Sequence, residues 1–291
     1  MSHQSYVLIT AARNEEAFIK NTIQSVVSQT VPPKKWIIVS DGSSDRTDEI
    51  VLDYAHKYEF IHFVRRENNG RNQGFASKVY AVREACLNLR NVEYGFIGNL
   101  DADVSFDINY IKDIIAKFYE NPRLGISGGF IYERDGEQYR SRPINTVRSV
   151  AGAIQMFRRE CFEDIGGLIP VKLGGEDWIA EIMARMRGWE VKAFPEHKVY
   201  HHKSSTGTRG VLRERMRQGA ADYAIGSHPL FELIKCLRRI KEKPYLIGAA
   251  IRIISYFMCW FRRGKRVISD EIVAFLQKEQ IERLKYYLRL K

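Results

Sequence analysis

Tyr94-Gly95-Phe96-Ile97-Gly98-Asn99-Leu100, followed at once by Asp101-Ala102-Asp103, is an apolar run that stops on two carboxylates. A short apolar run that ends this abruptly reads as a buried parallel strand. In an open α/β sheet, ligands gather at the carboxyl ends of such strands. Aspartates two apart on an extended chain face opposite ways. Both serve one ion only if the chain turns there, one binding directly and the other through water or ribose. A hard divalent cation holding a diphosphate suits that arrangement. Aspartates also collect at ordinary strand ends because they bond the local backbone, so the weight of the triplet comes from the sequence around it.

Upstream, short apolar segments alternate with helical spacing, the rhythm of βαβ units and a mainly parallel sheet. Tyr6 to Ala12, Trp36 to Ser40, Ile61 to Val64 and Tyr94 to Leu100 are the strands. Between them Ala17-Phe18-Ile19, Ile23 and Val26-Val27 space as a helix face, as do Ile50-Val51 with Tyr54-Ala55, and Val79, Val82 and Cys86. Downstream, a helix is expected from about Asn109 to Tyr119, a strand near Leu124 to Ile131, a helix from about Asp177 to Arg187, and a strand from Glu196 to Tyr200. From about Thr208 the composition turns to arginine-rich helix. The expected division is therefore 1–207 and 208–291.

The 291 residues carry 45% hydrophobic and 28% charged side chains, which gives a globular chain and not a disordered or polytopic one. Four cysteines without C-x-x-C spacing fit neither a zinc site nor a disulfide framework and read as reduced. No basic segment followed by an apolar one opens the chain, so a cytoplasmic location is expected. A formal charge of +11 calls for an anionic partner. Nucleic acid is disfavoured, because the cations border an apolar tail instead of interleaving with aromatics along a groove.

The strand ends are rich in polar chemistry. Arg13-Asn14-Glu15-Glu16 follows the first strand, with Asn14 placed to cap a helix and the carboxylates near its positive end. Asp41-Gly42-Ser43-Ser44-Asp45-Arg46-Thr47 follows the second. Its glycine permits a tight turn, and capping by Ser44 or Asp45 leaves Asp41 to face a ligand. Asn68-Asn69-Gly70-Arg71-Asn72-Gln73-Gly74 and Lys78 add glycines and cations that suit phosphate. Each segment taken alone also suits a plain helix start or a surface loop.

Taken in order, Asn14-Glu15, Asp41-Gly42-Ser43-Ser44-Asp45-Arg46-Thr47, Asp101-Ala102-Asp103 and Gly174-Gly175-Glu176-Asp177-Trp178 resemble the family 2 glycosyltransferases across Tyr6 to about His202. The resemblance implies the GT-A fold, a nucleotide-sugar-binding α/β domain with an Asp-x-Asp metal site for Mn²⁺ or Mg²⁺. By that likeness Asp41 contacts the nucleoside, Asp101 lies near ribose and the metal-bound diphosphate, and Asp103 ligates the metal. Ala11, Arg13, Glu15, Lys78 and Ala102 complete the donor site, with a UDP-sugar favoured. Ala11 and Arg13 stand where the family usually has proline and an aromatic.

An inverting transfer needs a carboxylate to take the proton of the attacking hydroxyl, and a Lewis acid and cations to steady the departing diphosphate. By resemblance Asp177 is that base and Glu176 orients the acceptor or the helix end. Gly175 admits close backbone approach, and Trp178 offers an apolar face to a sugar ring. Gly174-Gly175-Glu176-Asp177 also makes an ordinary acidic helix start. Of His201-His202, at most one faces the ion of Asp103, and the alignment favours His201. The stretch Lys203 to Thr208 reads as a loop that closes over the donor. Arg209, Arg213 and Arg217 share a helix face, and Arg213 and Arg217 are the candidates for neutralising diphosphate. Gln-x-x-Arg-Trp, the signature of processive synthases, is missing, which favours single-residue transfer.

In the tail, Lys235, Arg238, Arg239, Lys241 and Lys243 precede the apolar stretch Tyr245 to Phe261, and Arg262, Arg263, Lys265 and Arg266 follow it. Interrupted by Arg252 and shorter than the ~20 residues of a spanning helix, the stretch reads as an interfacial segment on anionic lipid, with Tyr256 and Trp260 at the headgroups. A helix buried in the fold is the competing reading. Asp270 to Lys291 is amphipathic and suits packing on the domain, the membrane or a second copy in a homodimer. The acceptor expected is membrane-associated and lipid-linked, which places the enzyme on the inner face of the plasma membrane. A nucleotide-sugar sensor without activity is the alternative. Sugar nucleotidyl transfer is less suited, because no glycine-rich N-terminal loop with a basic residue precedes Asp41.

Overall fold

The computed structural model describes residues 5–67, 74–203, 210–240 and 244–289. Asn68 to Gln73, most of the expected donor-closing loop with Arg209, and the flank cations Lys241 and Lys243 lie outside the described residues. In chain order the elements are β1 (Tyr6–Ala12), α1 (Ile19–Val27), β2 (Lys35–Asp41), α2 (Thr47–Ala55), β3 (Ile61–Arg66), α3 (Ala76–Leu87), β4 (Phe96–Leu100) and β5 (Val104–Phe106). There follow α4 (Tyr110–Glu120), β6 (Leu124–Asp135), β7 (Gln138–Ser141), β8 (Ile154–Arg158), α5 (Arg159–Asp164), α6 (Glu176–Met186) and β9 (Glu190–His201). The chain continues with α7 (Val211–Ala224), α8 (Pro229–Arg238), α9 (Ile247–Phe261) and α10 (Asp270–Arg289).

By contacts, described residues 5–172 and 176–203 form one unit, and 173–175 with 210–289 form another. In the first, the strands run in the order β3-β2-β1-β4-β8-β6-β9-β5, with β7 paired to β6. The first four are parallel, while β8 runs antiparallel to both β4 and β6, and β5 runs antiparallel to β9. Between β1 and β4 the order reverses. That switch point opens a crevice at the strands' carboxyl ends, where Ala12 and Leu100 hand over to the Asn14-Glu15 and Asp101-Ala102-Asp103 segments.

Strand alternation divides the core into two layers. Tyr6, Leu8, Trp36 and Ile38 face α1, α2 and α4 through Ile19, Ile23, Val51, Ile111, Ile114 and Phe118. Val7, Ile9, Ile37 and Val39 face α3, α5 and α6 through Val79, Val82, Cys161 and Ala180. Both faces of the sheet are covered, which explains why these strands read as continuous apolar runs. The Trp36 indole, fully buried, gives its one N–H to Thr10 Oγ1 at 3.0 Å. The four cysteines are free thiols; burial pushes Cys86 up to about 11 and Cys161 and Cys236 to about 12.

The helical unit has its own core, and it corrects the reading of the tail. Arg252, which interrupts the apolar stretch in the sequence, is buried and donates to Asp222 and Glu232, with Gln218 accepting a further bond at 3.1 Å. Tyr256 does not stand at a headgroup level. It is 1% exposed and donates its hydroxyl to the Ser227 carbonyl at 2.5 Å. The last helix packs on its own unit, burying Ile272, Val273, Leu276 and Leu284, with Gln280 bonded to His228 N–H. Among the described residues no helix is long and apolar enough to cross a membrane.

Candidate active site

Asp101, Asp103 and His201 are brought together by strand pairing. Asp103 ends a turn that is locked to α1, since Thr22 Oγ1 accepts Val104 N–H at 3.0 Å and donates to Val104 O at 2.8 Å. The short β5 then pairs with β9 so that Val104 stands opposite His201. His201 Nε2 lies 3.3 Å from Asp103 Oδ2. Asp101, Asp103 and His201 each bring one ligand-type atom to within 4.8 Å of the others. His202, the other candidate, faces away, its ring nitrogens bonded to Tyr139 Oη at 2.6 Å and Ser105 Oγ at 2.9 Å.

The triad suits a divalent cation. Asp103 Oδ1 and His201 Nδ1 are buried and have no hydrogen-bond partner, as does Glu15 Oε2, and orphaned buried polar atoms call for a ligand. Two carboxylates are donors that Mn²⁺ and Mg²⁺ both accept, and the imidazole favours Mn²⁺, the softer of the two. Burial works to raise Asp103 and depress His201. Their mutual bond outweighs burial and holds the carboxyl below, and the imidazole above, its ordinary value.

The first loop is less free than its sequence suggests. Asn14 does not cap a helix: it adopts a positive φ of 54° and its Oδ1 accepts Ser44 N–H at 2.8 Å, tying the β1 loop to the β2 loop. Glu15 takes the Lys203 ammonium at 2.6 Å, and burial raises its carboxyl. Neither Ser44 nor Asp45 is the N-cap of α2: Arg46 holds that position without a side-chain cap bond, and Asp45, one residue earlier, accepts Thr47 N–H at its Oδ1 at 3.0 Å. Asp41, by contrast, is not left facing open space. Arg66 Nη1 reaches its Oδ1 at 2.7 Å and Ser77 donates to its Oδ2. Ala11 and Arg13 sit at the end of β1, half-buried and exposed respectively, and the Ala102 side chain belongs to the core.

Lys78 on α3 is the cation at the centre of this crevice. Its ammonium donates to Asp101 Oδ1 and, at 3.1 Å, to the Gly152 carbonyl. Burial would depress it, but the charges of Asp101 and Glu176 hold it well above its usual range. Glu176 and Asp177 open α6. Asp177 Oδ2 accepts Gly152 N–H at 3.0 Å and its Oδ1 accepts Trp178 N–H at 2.8 Å. Glu176 is buried with Oε2 unpartnered, and burial, reinforced by the charge of Asp177, raises it to about 7.

In the helical unit, Gly175 has φ 98°, and a Cβ there would lie 2.6 Å from Ile225 Cδ1, so a side chain is excluded. Arg217 bonds Glu214 and the Leu173 carbonyl, and Arg213 is exposed on α7. Sequence reasoning missed Arg66, Ser77, Asn99 and Gly152. Arg66 is legible in hindsight, as the residue in register with Asp41 on the neighbouring strand. Gly152 precedes β8, a strand too short and too near a charged segment to be recognised.

An α/β sheet of this order, with carboxylates and a histidine gathered at its switch point, is the architecture of the GT-A glycosyltransferases. It superposes on residues 1–349 of Staphylococcus aureus TarS in complex with UDP-GlcNAc (TM-score 0.56, 14% identity, 89% of this chain and 73% of that one). It likewise matches the mannosyltransferase PcManGT of Pyrobaculum calidifontis in complex with GDP-Man and Mn²⁺ (TM-score 0.56, 17% identity, 96% and 80%). The family model for glycosyl transferase family 2 matches residues 7–171, and the chain belongs to that family. Among relatives, the poly-β-1,6-N-acetyl-D-glucosamine synthase of Staphylococcus epidermidis RP62A is 27% identical over 176 residues, 54% of this chain and 40% of the relative. The synthase of that name from S. aureus COL is 22% identical over 253 residues, 81% and 58%. The chain thus spans about half the length of these relatives.

Two glutamates of α6 give this unit a pH signature. Burial raises Glu176 to about 7 and Glu181 to about 8, so between about pH 4.5 and 8 the folded state holds protons that the unfolded chain has released. Stability from these groups is present at low pH and is lost as pH rises through their folded values. Glu181→Gln should flatten the fall in urea-unfolding stability by up to about 1.4 kcal/mol per pH unit over this window. A slope equal to wild type contradicts the assignment.

Proposed function

We propose that the chain is an inverting, metal-dependent glycosyltransferase that moves a sugar from a nucleoside diphosphate sugar to a membrane-associated, lipid-linked saccharide acceptor. The observation that carries this reading is the Asp101–Asp103–His201 group, with its orphaned buried atoms, linked through Lys78 and Gly152 to Asp177. Residues 1–207 hold the donor chemistry, with Asp41 toward the nucleoside and Asp101 and Lys78 toward ribose and diphosphate. A UDP-sugar is favoured, in keeping with the UDP-GlcNAc of the TarS complex and the N-acetylglucosamine in the relatives' names.

Asp103 and His201 would hold Mn²⁺ or Mg²⁺, with Asp101 beside them. A cation there supplies Lewis-acid charge to the leaving diphosphate. Asp177 accepts the proton of the acceptor hydroxyl as that oxygen bonds to the anomeric carbon and the bond to the diphosphate breaks. The backbone N–H groups of Gly152 and Trp178 aim its carboxylate. Lys78 keeps a positive charge near the departing oxygens, which a low-dielectric crevice makes effective. Glu176 orients the acceptor, and Trp178 borders it. Transfer of a single residue is the mode proposed: Gln218, in the region of the missing processive signature, is bonded to Arg215, Arg252 and Glu214.

For residues 208–291 we infer attachment to an anionic membrane surface. On α9, Ile247, Ile254, Met258 and Phe261 are 58, 57, 42 and 74% exposed and recur at helical spacing. The exposed cations Arg262, Arg263, Lys265 and Arg266 follow directly. An apolar stripe ending in cations suits an anionic lipid interface. Arg252 and Tyr256 belong to the helical core and take no part.

In a transfer assay with Mn²⁺ and a panel of UDP- and GDP-sugars, chelation or Asp103→Ala should abolish turnover. Asp177→Asn should lower it by about 10²-fold or more, the scale of general-base catalysis. Undiminished turnover in chelator would refute the metal, and wild-type turnover in Asp177→Asn would refute the base. In liposome flotation, binding should need anionic lipid and weaken in high salt. It should fall sharply when Ile254, Met258 and Phe261 are replaced by serine, with the helical unit still folded. Equal binding to neutral vesicles, or unaltered binding of the triple variant, would contradict the anchor.

A further inference from the structure

The segment 149–153, which leads into β8, is gripped by two carboxylates one turn apart on α6. Glu181 Oε1 accepts Val150 N–H at 2.6 Å and the Ser149 hydroxyl at 3.1 Å, while Asp177 Oδ2 accepts Gly152 N–H at 3.0 Å. Gln155 fastens the same corner, its Nε2 reaching Val150 O at 3.1 Å and Asp177 O at 3.4 Å. The Gly152 carbonyl is taken by Asn99 Nδ2 and by Lys78 Nζ, each at 3.1 Å. One residue therefore gives its N–H to the proposed base and its C=O to the cation that binds Asp101.

Glycine at this position is not demanded by the backbone, since Gly152 is not among the residues of positive φ. It is demanded by space. A Cβ built on Gly152 would lie 2.7 Å from Asp177 Oδ2, 2.9 Å from its Cβ and 3.0 Å from its Cγ. Any side chain must push the Asp177 carboxylate off its seat. Glu181, buried and bonded to 149–150, keeps the segment from yielding instead.

We propose that Gly152 is a positioning residue for transfer: its missing side chain and its N–H together seat the Asp177 carboxylate against the acceptor side of the crevice. The proposal rests on the reading of Asp177 as base. A base moved by about 1 Å loses on the order of 10²-fold in rate, because proton transfer depends on alignment. Binding of nucleotide, which does not use Asp177, is unaffected.

The test is a double-mutant cycle on the full chain. It measures release of UDP from UDP-N-acetylglucosamine with Mn²⁺ and a bacterial lipid extract as acceptor source, alongside calorimetric binding of UDP with Mn²⁺. Gly152→Ala should lower kcat by about 10- to 100-fold with UDP affinity unchanged. Gly152→Ala combined with Asp177→Asn should be no slower than Asp177→Asn alone. A purely structural role would instead multiply the two losses or weaken UDP binding, and either result overturns the proposal. Wild-type kcat in Gly152→Ala, beside a slow Asp177→Asn, overturns the seating alone. Wild-type kcat in Asp177→Asn overturns the base reading and the proposal with it. If Gly152→Ala does not fold, Asn99→Ser decides, since it removes the Nδ2 bond to the Gly152 carbonyl without adding volume. It should lower kcat with no further loss on the Asp177→Asn background, and full activity or multiplied losses would overturn the proposal.

Discussion

The crevice is organised around a crowd of carboxylates held near one half-buried ammonium. Asp101 and the Gly152 carbonyl share the Lys78 ammonium, and the charges of Glu176 and Asp177 act on it as well. Like charges brought together in a low-dielectric site repel one another, and some must take up protons or find a cation. The protein uses both solutions. Glu176 is raised to about 7, Glu15 is paired with Lys203, and Asp103 leans on His201. The buried atoms left without a partner include Glu15 Oε2, Asp103 Oδ1, Glu176 Oε2 and His201 Nδ1. A site built in this way is poised for a divalent cation and an anionic ligand together.

The sheet supplies the geometry for that crowding. Parallel pairing of β1 with β4 places the Asn14-Glu15 and Asp101-Ala102-Asp103 segments side by side, and antiparallel pairing of β5 with β9 returns His201 to Asp103 from almost a hundred residues away. The helical unit contributes its own internal order: Arg252, paired with Asp222 and Glu232, fixes α9 in the unit's core. Removing one partner of a buried ion network of this kind leaves an uncompensated buried charge, which is strongly destabilising. The network also leaves one face of α9 apolar and exposed.

Much of this was legible from sequence where chemistry and periodicity coincide. β1 was read to the residue, and α4 and α6 to within about one, because each shows a continuous apolar run or a clear helical face. Of the metal-type cluster, the aspartates were legible at a strand end, whereas His201 was reached through the family resemblance. Three-residue β5 and five-residue β8 were not, since neither is long enough to show a period. Side-chain partners across strands were equally hidden. Asp41 is engaged by Arg66 through register, and Gly152 touches Asp177 through a tertiary packing that no local pattern encodes. Within the apolar tail, Arg252 was misplaced for a different reason: hydropathy counts it as a breach, whereas two acidic partners on other helices make it core.

Everything proposed for the crevice rests on the carboxylate–histidine group binding a nucleoside diphosphate through a divalent cation. A thermal-shift titration of the wild-type chain with UDP and GDP, each with and without Mn²⁺ or Mg²⁺, tests it most directly. A ligand at 100 times its Kd stabilises the native state by about 2.7 kcal/mol, a readily measured rise in Tm. Such a rise is expected for UDP only when the cation is present. No shift with any nucleoside diphosphate and cation, or a full shift in the presence of chelator, would contradict it.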